Sequence, residues 1–298
     1  MTAERERDGV AARDGLAGNR ALWDHLAEFH GTDPEDRSYD VQSFLRGGQT
    51  LRGIERELAG DVAGKDLLHL HCHFGMDTLN WARLGAHVTG VDFSSKAIAR
   101  ARTLADQAAL AADFVEADTQ CLPASLAGRF DLVVATYGVL SWIGDLGAWM
   151  GGAVTALRPG GRLVLVDLHP VFQTVLTYDP FVADWPYGGG LPQYDAMTGT
   201  YAHGEASFEP KKTTQYPYSL GEIVTAAASA GLVVQHLGEH TETETDGRHI
   251  LPQGPDGLYR FPFSDTYLPV LYSLSAVLPA APPRRGRQFV EPVTHPSL

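Results

Sequence analysis

From Lys65 onward the apolar positions fall into short dense runs separated by amphipathic stretches. DLLHL (66–70) is the first run. MDTLNWARLG (76–85) follows, with Leu79, Trp81 and Ala82 at helical spacing and Gly85 as a stop, and predicts a short helix. HVTGVDF (87–93) predicts a second strand, and SSKAIARARTLADQAAL (94–110) a helix opened by a serine cap. ADFVEAD (112–118) and FDLVVATYG (130–138) predict the third and fourth strands. LGAWMGGAVTALRPGG (146–161) predicts a helix closed by Pro159 and two glycines, and RLVLVDLHP (162–170) the fifth strand. Unbroken runs such as Leu132, Val133 and Val134 suit strands covered on both faces. Strand and helix alternate five times, which predicts an α/β fold with a doubly wound parallel sheet.

The flanking segments have other patterns. ALWDHLAEFH (21–30) and VQSFLRGGQTLRGIERELAG (41–60) look helical, the second broken at Gly47 and Gly48, and predict a cap over residues 1–60 laid on one edge of the sheet. Residues 171–218 have no clear period and are rich in Gly, Pro and aromatics, which predicts a functional lid between strand and helix. SLGEIVTAAASAGL (219–232) restores a helix between a Ser219 cap and Gly231. VVQHLGEH (233–240) and TYLPVLYSLSAVL (266–278) predict a sixth and a seventh strand, the main domain spanning 61–280. Residues 281–298 predict a Pro-rich flexible tail.

A chain of 298 residues with 44% hydrophobic content can bury a full core. Its net charge of −13 argues against nucleic-acid or anionic-membrane partners, whose binding is driven by clustered Lys and Arg. The basic run Arg284–Arg287 reads as part of a solvated tail. Cys72 and Cys121 lie far apart among mostly apolar neighbours, and no secretory signal or bilayer-length apolar run is present, so a cytoplasmic protein is expected.

In an open α/β sheet, ligands bind beyond the carboxyl ends of the strands. After the first strand comes LHCHFG (70–75), leading to a helix at Gly75. After the second stands Asp92, seventeen residues beyond Gly75, where a carboxylate can accept both hydroxyls of a ribose. Asp118 and Thr119 follow the third strand, Thr136 and Tyr137 end the fourth, and Asp167 and His169 end the fifth. Three readings of His69, His71 and His73 compete. Their alternation in an extended strand suits a metal, although a fourth ligand is missing and the chain should turn by His73. One or more could be core histidines satisfied by the backbone, His69 above all. Or the loop is part of a cofactor site, in which the imidazoles turn away from the ligand or form its wall.

This series of strand ends resembles the class I S-adenosylmethionine-dependent methyltransferases over about residues 65–238. LLHLHCHFGMDTLNWARLGAHVTGVDFS (67–94), with YGVLSWI (137–143) and LRPGGRLVLVDLHP (157–170), is similar to a bacterial subgroup that carries Cys-His-Phe-Gly in the cofactor loop. The family usually places an acidic residue and then Gly-x-Gly-x-Gly after the first strand; His69, His71 and His73 replace all but the last glycine, Gly75. The resemblance implies a Rossmann-like seven-stranded sheet, six strands parallel and one antiparallel, and S-adenosylmethionine as cofactor. It implies cofactor binding by His71, Cys72, His73, Gly75, Asp92, Phe93, Asp118, Thr119 and Thr136, with no metal. Asp92 would hold the ribose, Phe93 the adenine face, and Asp118 and Thr119 the adenine edge. With a neutral His69 in place of the acid, backbone carbonyls near His71, aided by Asp77, would hold the cofactor's ammonium. Tyr137 and His169 are the catalytic candidates, His169 as a general base or merely a loop histidine set by Pro170. Trp142 and Tyr178 are the substrate-binding candidates. The expected activity is methyl transfer by in-line displacement to a small molecule, in a monomer or homodimer. A lyase or cyclase that consumes the same cofactor and a non-catalytic partner subunit are the alternatives.

Overall fold

The computed structural model describes residues 2–280 except 33–35, 37, 179 and 248, and the side chains from Gly15 onward except those positions, 176–178 and 203–206. The predicted tail, with its basic run, lies outside the described residues. In chain order the helices and strands are α1 (Thr2–Phe29), α2 (Val41–Leu45), α3 (Gly53–Ala59), β1 (Asp66–Leu70), α4 (Met76–Arg83), β2 (His87–Asp92), α5 (Ser95–Ala108), β3 (Asp113–Glu116), β4 (Phe130–Thr136), α6 (Leu146–Ala156) and β5 (Leu157–Leu168). Then come α7 (Pro170–Thr174), β6 (Val175–Tyr178), β7 (Phe181–Ala183), β8 (Gln193–Thr200), β9 (His203–Gln215), α8 (Leu220–Ser229), β10 (Val233–His240), β11 (Glu242–Thr243), β12 (Tyr259–Phe263), β13 (Thr266–Leu268) and β14 (Leu271–Val277).

Seven strands form one sheet in the order β10-β14-β5-β4-β1-β2-β3. Strands β3, β2, β1, β4 and β5 are mutually parallel, and β14 runs antiparallel to both β5 and β10, so six strands point one way and one the other. This is the expected Rossmann-like sheet. Its central strands are buried on both faces: Leu67, Leu68, Leu70, Val133 and Val134 are wholly inaccessible. Leu68, Leu70 and Val133 pack with Trp149 and Met150 of α6 on one side, while Leu67 and Val134 pack with Trp81 of α4 on the other. The serine caps behave as expected, Ser94 accepting from Ala97 N–H and Ser219 forming a capping box with Glu222.

Three local expectations differ from the structure. Helix α6 stops at Ala156, ahead of Pro159, because Leu157 already pairs with Phe130 and the Pro-Gly-Gly stretch lies at the irregular start of β5. The last predicted strand is two, broken at Pro269, which has no N–H to continue a ladder: β13 pairs with β12, and β14 enters the main sheet. Residues 171–218 hold two hairpins, β6–β7 and β8–β9. The side chains of β7 and β8 are mostly exposed, so these strands carry no apolar alternation to read.

Helix α1 packs against α5 and β9. Asn19 makes this joint specific: its Nδ2 donates to Thr214 O at 2.8 Å and its Oδ1 accepts from Thr214 N–H at 2.8 Å, as a neighbouring strand would. Near the end of β5, the buried carboxylate of Asp167 gathers the backbone N–H groups of Gly138, Val139 (3.1 Å) and Leu140 (2.9 Å). This holds the turn after β4, in which Tyr137 (φ +57°) and Gly138 (φ +83°) are both left-handed. An Asp167→Ala variant is expected to lose about 3 kcal/mol of unfolding free energy, since several buried N–H groups lose their acceptor together. Urea unfolding followed by circular dichroism measures it, and an unchanged midpoint contradicts this role.

Candidate functional site

Strand β1 delivers the chain to a turn with three left-handed residues in five: His71 (φ +57°), His73 (φ +49°) and Gly75 (φ +86°). For a side chain other than glycine this conformation costs roughly 1–2 kcal/mol per residue, so something must hold it. Cys72 N–H donates to Val91 O (3.0 Å), Gly75 N–H to Cys72 O (2.9 Å), and His73 N–H to Asp92 Oδ2 (2.9 Å). At Gly75 no substitution is free, because a Cβ there would sit 2.8 Å from the Phe114 ring.

The three imidazoles diverge. His69 Nδ1 pairs with Thr78 Oγ1 of α4 at 2.8 Å. His71 Nε2 meets Thr119 Oγ1 (2.9 Å) and the indole N–H of Trp149 (3.0 Å). His73 Nε2 pairs with His30 Nδ1 of the N-terminal segment at 2.9 Å, and His30 Nε2 with Thr200 Oγ1 of β8 at 2.6 Å. Burial draws His69, His71 and His30 down to about 3 and His73 well below its ordinary value, so all four rings are neutral. Each ring therefore fastens the turn to a different element. Among the described residues no group of three or more His, Cys, Asp or Glu is arranged to hold a metal.

The turn opens on a cavity of about 950 Å³ at the carboxyl ends of β1, β2 and β4. Of the sequence candidates, His71, Cys72, His73 and Gly75 line it from the turn, Asp92 and Phe93 from the end of β2, and Thr136, Tyr137 and Trp142 from the end of β4 and the loop beyond. Asp118, Thr119 and His169 are not brought to it. The Asp118 carboxylate holds its own turn, accepting from Gln120 N–H at 2.9 Å, and the Thr119 hydroxyl is engaged by His71. His169 caps α7: its Nδ1 accepts from Val171 N–H (3.2 Å), so its Nε2 carries the proton and donates to Glu239 Oε1 (2.9 Å). Both ring nitrogens are thus spent on the protein, in the position that Pro170 sets at the first turn of α7. The Tyr178 side chain lies outside the described residues.

Charge in the cavity is arranged in two places. Asp92 is 5% exposed, and burial pushes its carboxyl up to about 6 although Ser94 and His73 N–H groups favour the ionised form. The helix cap here is Ser94, not Asp92. Nδ1 of His73 is enclosed without a partner among the described residues. Asp77, in the first turn of α4, is likewise pushed up to about 6 by burial, and accepts from the hydroxyl of Thr50. Close by, Arg52 lays its guanidinium 3.9 Å from the Tyr137 ring centroid and donates to Thr245 Oγ1 (2.9 Å), without an ion pair among the described residues. Tyr137 donates its hydroxyl to the buried Glu55 at 2.6 Å, and burial pushes its pKa up.

Sequence reasoning missed Thr50, Arg52, Glu55, Trp23 and Tyr39, and marked Tyr201 only as one of the aromatics of the 171–218 lid. Trp23 stacks edge-on against Trp142 (5.4 Å) and His73 (5.5 Å), and the Tyr39 and Tyr201 hydroxyls meet at 2.5 Å over the turn. All six come from the N-terminal segment or the β8–β9 hairpin, where no periodic or motif signal marks them.

The sequence pattern of a family described as "Methyltransferase domain" matches residues 67–161, which run from β1 into β5. The chain is 30% identical over 234 residues to a ubiquinone biosynthesis O-methyltransferase of Rhodopseudomonas palustris (strain BisA53), covering 75% of this chain and 83% of that protein. A ubiquinone biosynthesis O-methyltransferase of Aromatoleum aromaticum is 30% identical over 115 residues, and this match spans 49% of the relative's length and 39% of this chain. The fold is that of the S-adenosylmethionine-dependent methyltransferase from Mesorhizobium loti, with a TM-score of 0.51 at 20% identity over 75% of this chain and 95% of that one. With a relative at 30% identity matched over 83% of its length, and with that fold, the chain belongs to the class I S-adenosylmethionine-dependent methyltransferases.

Proposed function

We propose that the protein moves a methyl group from S-adenosylmethionine to a small-molecule acceptor by in-line displacement, within the cavity over β1, β2 and β4. The observation that carries this reading is the charge arrangement. The cofactor is a zwitterionic amino acid joined to a nucleoside, and the cavity wall offers a buried carboxylate and an unpaired guanidinium near one another at one end. Asp77 suits the ammonium and Arg52 the carboxylate. Asp92 suits the ribose hydroxyls. Phe93 and Trp142 offer aromatic faces to the base. The residues present therefore fit the cofactor, and neutral His69 is compensated from α4 and the N-terminal segment.

When bound, the cofactor supplies an already activated methyl group on a sulfonium. The protein's remaining task is to align the acceptor and exclude water. Residues 1–60 act as a cap and 171–218 as the acceptor lid in this reading: Tyr39 and Tyr201 close over the turn, while Trp185, Phe172 and Met197 give the cavity apolar surface suited to a flat or apolar acceptor. Tyr137 stands at the end of β4, held by Glu55 and Arg52, as the residue beside the acceptor. No helix among the described residues is long and apolar enough to cross a membrane. Both cysteines are free, which suits a reducing compartment such as the cytoplasm.

An Asp92→Ala variant that keeps its thermal midpoint is expected to bind S-adenosylhomocysteine at least about tenfold more weakly by calorimetry, having lost a charge-assisted acceptor for two hydroxyls. Undiminished binding removes Asp92 from the site. Incubated with S-adenosylmethionine and a panel of phenols, amines and thiols, the protein should form S-adenosylhomocysteine only when an acceptor is present. Methylthioadenosine released from the cofactor alone would instead mark a lyase or cyclase.

A second prediction follows from the two carboxyls held at about 6. Their folded pKa lies above the unfolded value, so in the free protein their stabilising contribution is present below about pH 4 and is lost as the pH rises through about 6. A bound ammonium and bound hydroxyls favour the ionised forms. Binding of S-adenosylhomocysteine should therefore release protons at pH 6 and not at pH 8. Calorimetry in two buffers of unlike ionisation enthalpy reads this release, which Asp77→Asn should reduce. Proton uptake at pH 6 contradicts the assignment.

A further inference from the structure

The proton on His71 is placed by its neighbours. Its Nε2 lies 3.0 Å from the indole nitrogen of Trp149, which can only donate, so Nε2 is the bare, accepting nitrogen. The hydroxyl of Thr119 approaches the same atom at 2.9 Å. A neutral imidazole with a bare Nε2 carries its hydrogen on Nδ1. Burial keeps the ring neutral, with its pKa at about 3. Nδ1 has no partner among the described residues, it is not enclosed as Nδ1 of His73 is, and the residue lines the cavity. The cavity wall thus presents a fixed N–H donor that needs an acceptor from the ligand.

That requirement is selective. Neither the ammonium nor the sulfonium of an adenosyl amino acid can accept. The ring is anchored to Thr119, beyond β3, and to Trp149 of α6, whereas Asp77 and Arg52 gather at the start of α4, so His71 belongs to the nucleoside half. The ribose hydroxyls suit Asp92, an acceptor that calls for donors. The acceptors on that half are the ribose oxygens, which face Asp92 at the end of β2, and the in-plane nitrogens of the purine, which suit a donor anchored to Thr119 beyond β3. The Asp118 carboxylate, which could otherwise read the base edge, is turned onto Gln120 and does not line the cavity.

We propose that the Nδ1–H of His71 donates to a ring nitrogen of the cofactor's adenine, making this left-handed histidine a specificity-determining residue for the base. Trp149 and Thr119 act through it as positioning residues, by holding the tautomer. The assignment rests on reading the cavity as an adenosyl site, and the experiment separates the two.

Calorimetry compares S-adenosylhomocysteine with its 1-deaza, 3-deaza and 7-deaza analogues on the wild-type protein and on His71→Ala. One analogue should bind the wild-type protein about tenfold more weakly than the parent ligand, the cost of a buried donor left unpaired. In His71→Ala that difference should vanish, while the other two analogues behave alike in both proteins. Equal binding of all four ligands to the wild-type protein overturns the proposal, as does a deaza penalty that survives in His71→Ala. A wild-type protein that binds none of them overturns the adenosyl-site reading instead. Because the variant could fail to fold, nitrogen-15 NMR of histidine-labelled wild-type protein gives a second readout. His71 should show the Nδ1–H tautomer, and an Nε2–H tautomer sinks the proposal.

Discussion

The backbone N–H of His73 donates to the carboxylate of Asp92, and this bond ties the turn after β1 to the end of β2. The turn is left-handed at His71, His73 and Gly75, a backbone that side chains other than glycine adopt only at a cost. Offsetting that cost takes several bonds acting together: His73 to Asp92, His71 to Trp149 and Thr119, and His73 through His30 to Thr200. His71 and His73 therefore keep a left-handed backbone, of the kind glycine adopts freely, through these bonds. The rings of His69 and His73 serve as anchors, while that of His71 is anchored through Nε2 and keeps its other edge on the cavity.

The same bonds join pieces that are far apart in sequence. His30 lies just beyond α1 and Thr200 at the end of β8, so the turn, the N-terminal segment and the hairpin share one buried chain of contacts. The aromatic rings of Trp23, Tyr39 and Tyr201 close around it. All four histidine rings are neutral, so the charge of the cavity comes from its carboxylates, Asp77 and Asp92 among them, and from Arg52. Burial raises the pKa of both carboxyls, and at Asp77 the nearby Arg52 offsets this only in part. Such a site is poised for a ligand that brings its own positive charge and its own hydroxyl donors.

The sheet was legible in the sequence because each central strand is buried on both faces, and an unbroken apolar run between turn signals has few other readings. The hairpins of residues 175–215 were not, because strands such as β7 and β8, mostly exposed, are held by backbone pairing, which leaves no trace in side-chain type. In the site, the strand-end reading, extended by the family resemblance, picked out nine residues that do line the cavity. It also picked out Asp118, Thr119 and His169, which do not. A strand end tells where a residue stands and not which way its side chain turns. Asp118 curls back on Gln120, Thr119 meets His71, and His169 caps the helix that Pro170 begins.

What the sequence by itself determined was the alternating α/β architecture, the serine caps, and a turn after β1 too rich in histidine to be an ordinary glycine loop. Those features depend on neighbours within a few residues, where spacing and residue type are enough. The tertiary structure alone decided that the three histidines part company, that Arg52 and Thr50 reach the cavity from outside the sheet domain, and that an indole fixes the proton of His71. Most of these are contacts between segments tens of residues or more apart, brought together by burial of the core, and no local pattern encodes such a meeting.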